Sequence, residues 1–96
     1  MTRAANPTRD ALGRIWDDER VSYEERCVVQ WCYPKLGQGR LGSFDRAFYQ
    51  LLAGADMENL VRFAAGFPAE VAAFQAWRHG HLRAKIHGLG YTELAL

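Results

Sequence analysis

Apolar residues recur along this chain mainly at spacings of three and four, so helix is the predicted element almost throughout. Leu12, Ile15 and Trp16 share one face behind Asn6-Pro7-Thr8, where proline at a first helical position forfeits no needed hydrogen bond. Asp17, Asp18 and Glu19 would then crowd the negative end of the dipole, and the helix is predicted to stop there. Ser22-Tyr23-Glu24-Glu25 has capping-box spacing and predicts a helix to about Tyr33, with Tyr23, Cys27, Val28, Trp31 and Cys32 as its stripe. The Cys27–Tyr33 run is also rich in strand formers; the capping box decides for helix, and Pro34 closes it.

Lys35 to Ser43 holds three glycines and is predicted to be a loop. Ser43 can cap the next helix, where Phe44, Ala47, Phe48, Leu51 and Leu52 repeat at helical spacing in the clearest amphipathic pattern of the chain. Gly54 suits a left-handed C-terminal position, and Asp56 caps a helix carrying Met57, Leu60, Val61 and Ala64. After Gly66, Pro68 opens a helix with Val71, Phe74 and Trp77 facing the core. Trp16, Trp31 and Trp77 are all expected inside. Gly80 bends the chain ahead of a last short helix with Leu82, Ile86 and Leu89, and Gly88 and Gly90 break that helix before a tail at 91–96. Residues 1–5 show no pattern and are expected to fray. The sum is an all-α bundle of five or six short helices in a single domain over 1–96, with no fixed-period repeat.

Composition narrows the class. The chain has 96 residues, 49% of them hydrophobic and 12% aromatic, which excludes a mainly disordered protein. No apolar run nears the roughly 18 residues of a membrane helix, and no charged start leads into a signal-peptide core. Cys27 and Cys32, five apart on a helix, would have Cα atoms about 8–9 Å apart. That exceeds the ~7 Å limit for a disulfide, so packed thiols in a reducing, cytoplasmic setting are expected.

Candidate chemistry is sparse. Gly37-Gln38-Gly39-Arg40-Leu41-Gly42 matches a dinucleotide fingerprint by letter, but a helix precedes it and no βαβ unit surrounds it. His79, His81 and His87 cluster late; a spacing of two on a helix points imidazoles about 200° apart, and neither cysteine has metal-type spacing. A cysteine–histidine pair needs only spatial proximity, yet thiols inside an apolar stripe favour inert packing. The carboxylates from Asp17 to Glu25 read as a solvated acidic face. No catalytic residue, metal or cofactor is therefore expected.

Net charge is only +1, but it is segregated: six acids against two arginines from Asp10 to Glu25, then four basic residues against one acid from Arg26 to Arg46. Such poles can orient docking or neutralise each other within the fold. Lys35, Arg40 and Arg46 surround the glycine loop, and Arg78, Arg83 and Lys85 make the C-terminal stretch basic.

Gly66-Phe67-Pro68-Ala69-Glu70-Val71 followed by Trp77-Arg78 resembles small helical accessory proteins of bacteriophages and prophages, over about residues 56–80. That resemblance implies an accessory protein of a mobile element, a group that includes anti-CRISPR inhibitors, and it carries over no catalytic residue. The expectation is thus a non-enzymatic protein that binds a larger macromolecule, and the resemblance implies a phage-encoded, anti-CRISPR-like inhibitor of a host defence complex, with a host nucleoprotein complex as its partner. Its expected contacts are Tyr33, Lys35, Arg40, Arg46, Arg78, Arg83 and Lys85, with Tyr33, Arg40 and Arg78 foremost. The alternative is a nucleic-acid-binding regulator using the basic C-terminal segment, and homodimerisation stays open.

Overall fold

Asn6 opens the first helix as its neighbours imply: its side-chain oxygen accepts from the Arg9 amide at 3.0 Å, and Pro7 takes the first helical position. The computed structural model describes residues 6–36 and 40–96, so the expected fraying at 1–5 and three residues of the glycine loop lie outside it. The described residues form six helices and no strand. They are α1 (Pro7–Trp16), α2 (Tyr23–Cys32), α3 (Ser43–Ala53), α4 (Met57–Gly66), α5 (Pro68–Arg78) and α6 (His81–Gly88). The protein is all-α.

Each start has a local cause. The Ser22 hydroxyl accepts from the Glu25 amide at 3.1 Å, while a Glu25 carboxylate oxygen accepts from the Ser22 amide at 2.8 Å. Asp56 accepts from the Asn59 amide at 2.9 Å. Ser43, expected as a cap, is instead the first residue of α3; Gly42 takes the extended cap conformation and no side chain bonds there. Gly54 is right-handed, because its amide and that of Ala55 close tight turns onto Leu51 and Leu52. Left-handed backbone occurs at Gly80 and Gly90, where φ is +81° and +105°.

The core runs through Leu12, Ile15, Val28, Val29, Leu52, Leu60, Phe74, Leu82 and Ile86. Helices α2 and α5 form its centre: α2 packs against α1, α3 and α5, and α5 also packs against α3, α4 and α6. That central position buries α2 more widely than one stripe would. Val29 and Gln30 are inside, and Gln30 donates to the Leu12 carbonyl at 3.3 Å, whereas Tyr23 of the expected stripe is 56% exposed. Trp16, Trp31 and Trp77 edge the core rather than fill it; Trp31 and Trp77 meet edge-to-face at 5.1 Å. The segment after Gly90 is no bare tail. Tyr91 and Leu94 are buried, and Tyr33 anchors Ala95.

Candidate interaction surface

Half of the α3 stripe faces outward. Phe48, Tyr49 and Leu52 are buried, but Phe44 is 70% and Leu51 55% exposed. The reason is geometric. Ala47, Leu51, Phe44, Phe48, Leu52 and Tyr49 spread over about 200° of the helix, and packing against α2 and α5 covers only part of that arc. Phe44 stacks on Phe48 with centroids 6.4 Å apart and planes 9° from parallel. Phe48 in turn meets Phe67 at 4.8 Å and Phe63 at 5.9 Å, so an aromatic ledge runs from α3 to the α4–α5 junction. Beyond it, Leu51, Gly54, Asn59 and Phe63 line an open cleft of about 390 Å³.

The other flank of α3 is polar. Arg46 and Gln50 border a cleft of about 450 Å³ whose walls include Trp31, Trp77 and Pro34. On α4, Met57 and Val61 are also exposed, on the side of that helix turned away from Asn59 and Phe63.

Cys27 is buried and Cys32 half-buried at the edge of the Trp31–Trp77 cleft, and both remain unpaired. Burial pushes Cys27 up to about 11 and Cys32 up to about 12, so neither is poised as a nucleophile. Histidines do not converge with them. Gly80 separates His79 and His81 between two helices, which leaves their rings 6.2 Å apart rather than on opposite faces of one helix. His87 is half-buried and bonds the Leu94 carbonyl through Nε2. Among the described residues no three metal-ligating side chains come together.

The basic residues expected to bind a partner are scattered. The Tyr33 hydroxyl is taken up by the Ala95 backbone. Lys35 is exposed beside Pro34, and Arg40 lies half-buried along α1, near Gly13. Arg78 donates to the Ala53 carbonyl at 3.3 Å and covers the Phe74 ring at 4.6 Å. Lys85 pairs with Glu25 at 2.7 Å, so the basic C-terminal helix neutralises part of the acidic segment. Arg46 borders the Trp31–Trp77 cleft, and Arg83 is exposed on α6. The glycine-loop motif has its Gly37, Gln38 and Gly39 outside the described residues.

Sequence reasoning missed Phe44, Leu51 and Phe67 because periodicity alone assigns apolar positions to the core. A usable signal was present in the apolar arc of α3, which is too wide for a helix packed on one side. Among the described residues, no helix is long and apolar enough to cross a membrane. Comparison of the chain with known protein families, with curated proteins and with solved structures finds no match in any of the three.

Proposed function

We propose that this chain is a non-enzymatic binding protein whose outward α3 ridge docks on a larger macromolecule, itself a protein. One observation carries the reading: Phe44 and Leu51 stand 70% and 55% exposed on a helix otherwise anchored in the core. Burying such a side chain is worth about 1.5–3 kcal/mol, and contiguous exposed apolar surface marks interaction sites. Aromatic anchors commonly dominate interface energy.

The finer reading is a phage-encoded, anti-CRISPR-like inhibitor of a host defence complex acting in the cytoplasm. Its support is the likeness of Gly66–Val71 and Trp77-Arg78 to phage accessory proteins. The rival nucleic-acid reading is weakened because Lys85 and Arg78 are already engaged within the fold.

Affinity capture from the native host with the full chain and with a Phe44→Ser, Leu51→Ser variant tests the proposal. The wild type should retain a protein partner that the equally helical variant loses. Retention by both, or salt-sensitive capture of nucleic acid alone, would overturn it.

A further inference from the structure

The aromatic ledge adjoins an acidic pole, and together they specify the chemistry of an occupant. At the starts of α2 and α5, Glu24 borders a groove with Ala69, and the Phe44–Phe48 stack of α3 meets Phe67 just ahead of α5. Each helix carries a carboxylate in its first turn: Glu24, Asp45 and Glu70. All three are partly exposed, and among the described residues none forms an ion pair. Asp45 adjoins Phe44, whose stack on Phe48 reaches Phe67, and Ala69 and Glu70 follow Phe67 beside Glu24, so the three share one end of the fold. The raised pKa values of Cys27 and Tyr49, due first to burial and then in part to these carboxylates, agree with that placement.

A first-turn acid stabilises its own helix by about 0.3–1 kcal/mol, which accounts for each carboxylate singly. It does not account for three such carboxylates, none of them in an ion pair among the described residues, at the end of the fold where the rings of Phe44 and Phe67 stand exposed. We infer that this pole docks a basic amphipathic segment of a partner protein, whose apolar anchors seat on Phe44 and Phe67 while its arginines or lysines meet Glu24, Asp45 and Glu70. The inference rests on the binding role proposed above and adds the surface and the partner's chemistry. Phosphate backbones would be repelled here. A second copy meeting this face with its own would set the three carboxylates against their like-charged counterparts, which makes it the poorer occupant.

Two synthetic amphipathic helical peptides of equal length test it against the full chain at low ionic strength, one combining leucine with arginine and the other leucine with glutamate. Fluorescence anisotropy should show the Leu-Arg peptide binding at least about tenfold more tightly. Amide shifts should centre on Tyr23, Phe44 and Phe67. An Asp45→Asn, Glu70→Gln variant, with its fold checked by circular dichroism, should lose most of that preference. Equal affinity for both peptides, no binding of either, shifts centred elsewhere, or self-association through this face would overturn the inference. Equal peptide binding together with loss of the cellular partner in Phe44→Ser, Leu51→Ser would overturn the acidic-pole assignment and leave the binding role standing. Partner retention by that variant would remove the binding role itself.

Discussion

The hydroxyl of Tyr33 meets the backbone of Ala95 twice, donating to its carbonyl at 2.8 Å and accepting from its amide at 2.7 Å. This clasp joins the end of α2 to the C-terminal segment and holds buried Leu94 beneath it. Tyr33→Phe keeps the ring and deletes both bonds. The expected cost is about 1–2 kcal/mol in urea unfolding, with faster hydrogen exchange at the Ala95 amide. Unchanged stability and exchange would mean that the clasp contributes nothing.

Glu25 uses one oxygen for two purposes: it accepts from the Ser22 amide at 2.8 Å and from Lys85 Nζ at 2.7 Å. Glu25→Gln can keep the first bond and loses the charge pair, whereas Glu25→Ala loses both. Alanine should cost about 1–2 kcal/mol and glutamine less than half of that, because a cap is worth about 1 kcal/mol and a partly exposed pair less. Equal losses in thermal unfolding would show that the ion pair dominates.

Asp18 gives a pH dependence of defined sign. Its carboxylate accepts from the Arg20 side chain at 2.7 and 2.9 Å, from Tyr91 at 2.6 Å and from the Arg20 amide at 3.0 Å. The Arg20 hydrogen bonds, followed by that from Tyr91, hold its pKa well below the ordinary carboxylate value of 3.8. The folded state therefore favours the ionised form. Its contribution is complete above the unfolded pKa and is lost as the pH falls below about 4 towards the depressed folded value. Urea midpoints across that range should show Asp18→Asn less stable than wild type at neutral pH, with the gap closing in acid. A gap independent of pH would contradict this assignment.

The thiols should be silent. With Cys27 raised to about 11 and Cys32 to about 12 by burial, native protein at pH 8 should react with a disulfide reagent far more slowly than unfolded protein. Rapid labelling of either cysteine without unfolding would show that its surroundings open readily.

Much of the fold was legible because its signals are local. The Ser22–Glu25 capping box, Pro7 and Pro68 at first helical positions and the Asp56 cap depend on neighbours within four residues, and each formed as read. What failed depends on tertiary position. Val29 and Gln30 are buried because α2 is surrounded on several sides, while Tyr91 and Leu94 are buried because a clasp 62 residues away in sequence brings the tail home. The interaction surface was obscured for the same reason. Leu51 and Leu52 have the same apolar character, and only the placement of α2 and α5 around α3 leaves one at 55% exposure and the other at 0%. Charge misled similarly: Lys85 looked available until Glu25 appeared opposite it.

The central claim is that the outward row of α3 serves contact and not stability. Photo-crosslinking tests it most directly, with a benzophenone amino acid placed at Phe44 in one chain and at Arg83 in another, and each irradiated in the native host. The expected result is a protein adduct from position 44, little or none from position 83, and unfolding midpoints close to wild type for both. Adducts from position 83 alone, or collapse of the fold on replacing Phe44, would contradict it.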